Sequence, residues 1–192
     1  MGNALAALSG TGKFTYADYK AWDPGETGRY ELIYGEAYAM AGPSAYHQLI
    51  LGELSRQIAT YLQGKPCRIF PAPYDVRLFY EEDESDNTVV QPDITVVCDA
   101  KKRGAEGCRG APDFVAEILS PSNTASEMER KFKLYREAGV REYWVLDPDN
   151  KTLRTHRFEG AQILTRFYGP DTTAPVDIFE GLEIDLNLVF AE

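Results

Sequence analysis

Two carboxylates stand in apolar, β-branched stretches where ionised side chains are seldom found. Asp93 follows Pro92 and precedes the run ITVV, and Glu117 lies between Ala116 and Ile118. Burying an ionised carboxylate is costly unless a partner compensates for the lost hydration. Two such residues on neighbouring core strands therefore indicate a cation between them, and Mg²⁺ and Mn²⁺ favour oxygen ligands of this kind.

A helix predicted over residues 124–138 supplies a third group. At about 100° per residue its apolar positions fall in one arc. Lys131 lies near the centre of that arc, whereas five other charged residues of the helix lie outside it: Glu129, Arg130, Lys133, Arg136 and Glu137. A buried lysine needs a carboxylate partner or a chemical role, and near a metal site it can orient or deprotonate a water. Asp93, Glu117 and Lys131 together predict a site for metal-dependent phosphodiester hydrolysis.

Each of these three residues also has a simpler interpretation. Asp93 alone could be a turn residue at a strand end, and Glu117 alone could belong to a core salt bridge. Lys131 could run along the edge of the apolar stripe and reach solvent. A different hydrolase with paired carboxylates is a weaker alternative, because a glycosidase needs neither the inward lysine nor a metal.

Length and charge limit the class of protein. The 192 residues suit one domain, predicted to span 1–192 with a loose N-terminal tail over 1–13. No apolar run approaches the ~20 residues of a membrane span, and the N-terminus lacks the basic region of a signal peptide, so we predict a cytoplasmic protein. The net charge of −10 argues against a general nucleic-acid coat protein. It leaves room for an enzyme whose metal returns positive charge to the site.

Other conspicuous features have ordinary interpretations. The odd count and spacing of the cysteines predict neither a disulfide framework nor a zinc site, and Cys98 is expected to be a core residue. Residues 81–87, EEDESDN, are expected to form a solvated loop. The basic stretch 101–110 is expected to be a solvated linker, with a phosphate-contacting loop as the alternative. His156 falls in an alternating strand and is expected to be exposed, without a role.

Hydrophobic periodicity and capping residues predict the elements that position these groups. Because helices alternate with buried strands, the fold class is α/β, with a central mixed β-sheet flanked by helices, an added N-terminal hairpin and C-terminal strands. Helices are predicted over 15–22, 44–62 and 124–138; a hairpin over 29–33 and 36–40; strands over 67–80, 88–99, 113–119, 141–148, 151–158 and 161–168; and short strands over 176–180 and 182–186.

Several blocks of the chain resemble the Uma-type restriction endonucleases, a branch of the PD-(D/E)XK nuclease superfamily once catalogued as a domain of unknown function. The match runs from about Tyr30 to Phe158, and its SPS and EYW blocks are far more specific than a lone Pro-Asp. The blocks are Gln91-Pro92-Asp93, EILSPS at 117–122, Lys131 with Tyr135, and AGVREYWVLDP at 138–148.

The resemblance implies a restriction-endonuclease-like core and a Mg²⁺- or Mn²⁺-dependent endonuclease acting on DNA. It assigns Asp93 and Glu117 as metal ligands and Lys131 as the catalytic lysine. The chain departs from the superfamily at Leu119, where a lysine is expected two residues after Glu117. Lys131, on the following helix, would replace that lysine in space.

Four further positions of the family match Glu31, Gly35, His47 and Asp75. Asp75, in the strand YDVRLFY, is expected to be a third metal ligand or a water contact. His47 and Glu31 are expected at the substrate or at the rim of the site. The ordinary alternative for His47 is a capping or packing role near the start of its helix.

Two functions of different classes remain open from the sequence. The first is the metal-dependent DNA endonuclease. The second is a non-catalytic module that keeps the nuclease fold as an interaction surface, because the chain is acidic and carries no separate DNA-reading domain. A homodimer is expected in either case, with the strands after Gly169 as a possible interface.

Overall fold

The computed structural model describes residues 13–22, 29–121 and 123–191. Residues 1–12 of the predicted tail, and Ser122 of the SPS block, lie outside this part. In the described residues most of the predicted helices and strands are present. The helices are α1 (Tyr16–Lys20), α2 (Ala45–Leu62), α3 (Ala125–Ala138) and α4 (Leu186–Val189), with a 3₁₀ turn at Ala100–Lys102.

The strands form two six-stranded mixed sheets and one small hairpin, rather than the single central sheet expected from the sequence. Sheet 1 has the order β2-β1-β5-β4-β8-β7, and sheet 2 has the order β12-β11-β10-β9-β6-β3. The strands are β1 (Tyr30–Ile33), β2 (Glu36–Ala39), β3 (Arg68–Pro71), β4 (Val76–Arg77), β5 (Val89–Val90), β6 (Ile94–Val97), β7 (Arg103–Gly104), β8 (Gly107–Arg109), β9 (Phe114–Ile118), β10 (Glu142–Asp147), β11 (Thr152–Glu159), β12 (Gln162–Tyr168), β13 (Thr173–Pro175) and β14 (Glu183–Asp185).

Side-chain caps begin the two long helices where the sequence predicted them. Ser44 accepts a hydrogen bond from the backbone N–H of His47 and starts α2. Thr124 and Glu127 form a reciprocal capping box at the start of α3. Gly139 ends α3 with a φ of 91°, a left-handed conformation that glycine adopts without strain.

The β9–α3–β10 unit forms the framework of the molecule. β9 and β10 are parallel and hydrogen-bonded, and α3 connects them. Alternate residues of β9 point to opposite faces of sheet 2. Phe114 and Ala116 join the core cluster beneath α2, whereas Val115 joins the cluster beneath α3. Glu117 points to the same face of sheet 2 as Val115, so its carboxylate lies on the side that α3 covers.

Three interpretations from the sequence were wrong. His156 is buried rather than exposed, because β11 is covered by aromatic rings of α3 and β10. Residues 176–180 form turns rather than a strand, although Val176 and Phe179 are buried. Asp86, in the acidic loop, is buried in an ion pair with Arg77, while the first three acids of that loop are exposed as expected.

The cysteine prediction was also wrong. Cys67 and Cys98 form a disulfide, and they follow directly on the register that pairs Arg68 of β3 with Val97 of β6. Thirty-one positions separate them in sequence, and only the pairing of the two strands brings them together. Cys108 is a buried free thiol.

None of the helices in the part of the chain that the structure describes is both long enough and apolar enough to cross a bilayer.

Candidate active site

Asp93 and Glu117 are neighbours across two antiparallel strands. The β6–β9 register pairs Ile94 with Ala116, so Asp93 and Glu117 come next, opposite each other at the end of the ladder. Asp93 Oδ2 accepts a hydrogen bond from the backbone N–H of Ile118 at 2.7 Å. This bond fixes Asp93 beside the strand that carries Glu117, as the sequence predicted for these two residues.

Lys131 reaches the same point from α3. Its Nζ donates to Glu117 Oε1 at 2.9 Å and to Glu31 Oε1 at 3.1 Å. Tyr135, one turn further along α3, donates its hydroxyl to the same oxygen of Glu117 at 2.5 Å. The inward orientation predicted for Lys131 is therefore present, and its side chain is only 12% exposed.

Burial and charge shift the ionisation of this group. Burial raises the pKa of Glu117 to about 7, opposed by Lys131 and assisted by the charges of Glu31 and Asp93. Burial alone would lower the pKa of Lys131, but Glu117 and Glu31 raise it above its usual value. Lys131 is therefore a cation at neutral pH, held between two carboxylates.

His47 and Glu31 complete the surroundings. His47 Nε2 lies 3.2 Å from Asp93 Oδ2, and its buried Nδ1 has no hydrogen-bond partner in the structure. Burial lowers the pKa of His47, but the hydrogen bond and charge of Asp93 raise it overall. Glu31 Oε1 also accepts from the backbone N–H of Gln91 at 3.0 Å. His47 thus contacts Asp93 and Glu31 contacts Lys131, so both residues lie within the site rather than at its rim.

The donor set suits a divalent cation with few protein ligands. Asp93 Oδ1 and Glu117 Oε2 accept no hydrogen bond from any described residue, so each carboxylate keeps one oxygen for a ligand. Mg²⁺ is commonly held by one or two carboxylates, with waters and substrate oxygens completing its shell. Within residues 13–22, 29–121 and 123–191, no group of three or more His, Cys, Asp or Glu side chains is arranged to hold a metal ion. The geometry fits a two-carboxylate site rather than a closed protein cage.

A cavity of about 440 Å³ opens over these residues. The β2–α2 connection and the first turn of α2 form one side, and the loop before α3 forms another. Asp93, Glu117 and Lys131 line it together with Arg29 and Gln91. The cavity is large enough for a phosphodiester group and its immediate neighbours.

Asp75 is not among the residues that line this cavity. Its Oδ1 accepts hydrogen bonds from Tyr19 at 3.1 Å and from Gln91 Nε2 at 2.7 Å, and it lines a second, adjacent cavity. The reason is topological: β4, which follows Asp75, pairs with β5 and β8 in sheet 1, not with β6 in sheet 2. The geometry gives no support to Asp75 as a third metal ligand.

The two residues that line both cavities, Arg29 and Gln91, had no role in the sequence interpretation. Arg29 donates its Nε to Gln91 Oε1 at 3.0 Å, and the two side chains form the wall between the cavities. Gln91 directly precedes Pro92 and Asp93, and this proximity to Asp93 was the only feature of the sequence that could have marked Gln91 as a site residue. No pattern in the sequence distinguishes Arg29, because its position depends on pairing of β1 with β5.

A family model described as "Putative restriction endonuclease", Uma2, matches residues 16–187. The chain belongs to the Uma2 family. The resemblance found in the SPS and EYW blocks is thereby confirmed, and the match includes every candidate site residue named above.

A solved structure resembles this Uma2-family chain in fold. A crystal structure described as a putative nuclease belonging to DUF820, from Anabaena variabilis ATCC 29413, superposes with a TM-score of 0.71 at 22% identity, covering 92% of this chain and 97% of that one. At that identity the likeness shows the fold, and the α/β nuclease-like class is confirmed.

Two curated proteins of Synechocystis sp. (strain PCC 6803), both described as uncharacterized, are each 29% identical to this chain. The alignment with slr1290 covers 64% of this chain and 62% of that protein, and the alignment with sll1609 covers 74% and 80%. The matched part thus spans less than two thirds of slr1290.

Proposed function

We propose that this Uma2-family protein is a Mg²⁺- or Mn²⁺-dependent endonuclease that hydrolyses phosphodiester bonds in DNA. The observation that carries the proposal is the meeting of Asp93, Glu117 and Lys131 in one cavity, from two strands and a helix. The family description and the description of the structural neighbour both support a nuclease.

Asp93 and Glu117 are the residues that would hold the cation. A bound divalent ion supplies Lewis acidity and positive charge opposite a phosphate. Ile118 N–H and His47 hold Asp93 in place, and Tyr135 does the same for Glu117. A carboxylate pair fixed by such contacts needs little reorganisation when substrate arrives.

Lys131 acts as a fixed cation in this proposal. Its raised pKa keeps it protonated, so it orients a water and offsets charge on the phosphate rather than removing a proton. Glu31 positions the ammonium by accepting one of its hydrogen bonds. Lys131 thereby fills the role of the lysine that is absent at Leu119.

The non-catalytic alternative is favoured by one observation. Glu31, Lys131 and Glu117 already form a largely buried ion-pair group, which can serve a structural purpose alone. In that case the fold would act as a binding module.

Calorimetric titration of Mn²⁺ separates the two functions. The wild type is expected to bind Mn²⁺, and Asp93→Ala and the isosteric Asp93→Asn are expected to lose binding while circular dichroism shows them folded. Asp83→Asn, which removes an exposed carboxylate from the acidic loop, is the matched control and should bind as the wild type does.

Cleavage of plasmid DNA is the second stage of this experiment. Activity that requires Mg²⁺ or Mn²⁺ and disappears in Asp93→Asn supports the endonuclease. If the folded wild type binds no divalent ion, the endonuclease proposal fails and the binding module takes its place.

A further inference from the structure

A second cavity, of about 320 Å³, opens beside the candidate active site. Arg29 and Gln91 line both cavities, so the two share a wall. Asp75 lines this second cavity and not the first, so its carboxylate is available to a ligand there. The adjacency means that one extended ligand can occupy both cavities.

Three aromatic side chains form the sides of the second cavity. The ring centroids of Tyr19 and Trp22 are 5.4 Å apart, and those of Trp22 and Tyr30 are 6.0 Å apart, with the planes inclined at 60° and 74°. All three side chains are only partly buried. Aromatic rings that border an open cavity are platforms on which flat, aromatic ligands stack.

A carboxylate with one uncommitted oxygen supplies the polar part. Tyr19 and Gln91 both donate to Asp75 Oδ1. Asp75 Oδ2 accepts no hydrogen bond from the described residues. Because the two donors hold one oxygen, the other is fixed in orientation and remains free to accept from a ligand that carries a hydrogen-bond donor.

We propose that this cavity binds one nucleobase of the nucleic-acid substrate, and that Asp75 selects bases that carry an exocyclic amino group. The inference rests on the proposed nuclease function and extends it to substrate specificity. The base stacks among Tyr19, Trp22 and Tyr30, and its amino group donates to Asp75 Oδ2. The phosphate attached to the same nucleoside lies across the shared wall, near Arg29 and the carboxylates of the active site.

The chemistry of the carboxylate sets the preference. Cytosine presents an amino group at C4, where thymine presents a carbonyl oxygen beside a methyl group. An ionised carboxylate accepts from the first and repels the second. Arg29, whose guanidinium lies between the two cavities, offsets the negative charge of a phosphate there.

Deoxynucleoside monophosphates test this directly, because they contain no internucleotide bond and stay intact when Mn²⁺ is present. The chain has two tryptophans. Trp144 is fully buried, so quenching of tryptophan fluorescence by a stacked base reports Trp22. Quenching by dCMP and dTMP, with and without Mn²⁺, gives an affinity for each.

We expect dCMP to quench at lower concentration than dTMP. Tyr30→Leu should weaken dCMP binding about tenfold, the lower part of the effect of stacking a base on one ring. Asp75→Asn should reduce or reverse the preference, since Tyr19 and Gln91 would hold the amide oxygen and turn its NH₂ donor to the base. Trp22→Leu should abolish the quench, and Phe167→Leu, an exposed ring on β12, should change nothing.

The outcomes separate this inference from the proposed function. If neither nucleotide quenches the wild type, or if Asp75→Asn keeps the preference and remains folded, the base site is wrong, whatever the result of plasmid cleavage. If quenching and its reversal are seen but no divalent ion supports cleavage, the base site stands and the endonuclease proposal fails.

Discussion

At the scale of single residues, one lysine determines the character of the site. The side chain of Lys131 is 12% exposed, and those of its two observed ion-pair partners, Glu31 and Glu117, are 5% and 12% exposed. Such a group is costly to break, because removing one partner leaves charge without compensation. The same arrangement keeps Lys131 cationic and directed at the cavity.

Replacing this lysine tests the arrangement. Lys131→Met is expected to lower the free energy of unfolding by about 3–5 kcal/mol, since Glu31 and Glu117 lose their shared cation. Glu31→Gln in the same chain should recover part of this loss by removing one of the two charges. Urea denaturation of both variants measures it, and a loss below about 1 kcal/mol would show that the ion pairs contribute little.

At the scale of elements, the β9–α3–β10 unit both builds the core and orients the site. The period of β9 places Glu117 on the face covered by α3, and the helical period places Lys131 and Tyr135 one turn apart above it. On the same side of the sheet, β11 adds His156. The imidazole contacts Phe132 of α3 at 4.8 Å between ring centroids.

This contact predicts a dependence of stability on pH. Burial, with a contribution from Arg154, lowers the pKa of His156 to about 4, below the ordinary 6.5. The unfolded chain therefore takes up a proton that the folded chain resists. Above pH ~6.5 His156 is neutral in both states, and the free energy of unfolding keeps its full value. As the pH falls from ~6.5 towards 4, the free energy of unfolding decreases by about 2–3 kcal/mol on account of His156.

The matched variant is His156→Phe, which keeps an aromatic ring among Phe132, Tyr143 and Phe158. Urea denaturation at several pH values should show a shallower loss of stability between pH ~6.5 and ~4 than in the wild type. Parallel curves for the two proteins would mean that His156 titrates normally.

A second element-scale prediction concerns the approach of β8 to the residue before β4. Gly107 has a φ of 146°, and a Cβ there would lie 2.4 Å from the backbone oxygen of Asp75. Gly107→Ala should therefore force the two segments apart. Gly160 also has a positive φ, of 60°, but its Cβ would meet nothing within 4 Å.

Gly160→Ala is the reference for a positive φ without crowding; the added cost of Gly107→Ala combines the contact with Asp75 and its less accessible φ. Gly160→Ala is expected to cost about 1 kcal/mol, and Gly107→Ala about 1–3 kcal/mol more. Thermal and urea unfolding measure both. Equal costs would show that the contact with Asp75 is easily relieved.

At the scale of the whole molecule, the net charge opposes the proposed function. A net charge of −10 repels a polyanion, and the candidate site adds Asp93, Glu117 and Glu31 to the surface of its cavity. A divalent cation would reverse the sign of the potential locally. The predicted homodimer stays a prediction. Leu164 and Phe167 are exposed apolar side chains on β12, and light scattering of variants at these positions would measure whether this surface contributes to a dimer.

The charge predicts that DNA binding depends on divalent ions. We expect the affinity for a labelled DNA duplex to rise about tenfold or more when EDTA is replaced by Ca²⁺, an ion that binds oxygen ligands as Mg²⁺ does. Fluorescence anisotropy measures this, with NaCl added to the EDTA sample to equalise ionic strength. Equal affinity in both buffers would show that DNA binding does not depend on a divalent ion held by Asp93 and Glu117.

The sequence alone determined most of the local elements and the side chains at the centre of the site. Ser44, Thr124 and Gly139 act within a few residues of themselves, so their caps were predictable. Asp93 and Glu117 were identifiable because charge in an apolar strand is costly, and Lys131 because helical periodicity is strict. These signals need no knowledge of which strands pair.

Only the tertiary structure decided what depends on strand pairing. Asp75 lies with Gln91 rather than with Asp93 and Glu117, Arg29 reaches the cavity, and Cys67 meets Cys98, each through contacts between residues distant in sequence. The burial of His156 likewise depends on which helix covers β11. Long-range packing selects among partners that local patterns leave equivalent, and for that reason the surroundings of the site, unlike its centre, required the fold.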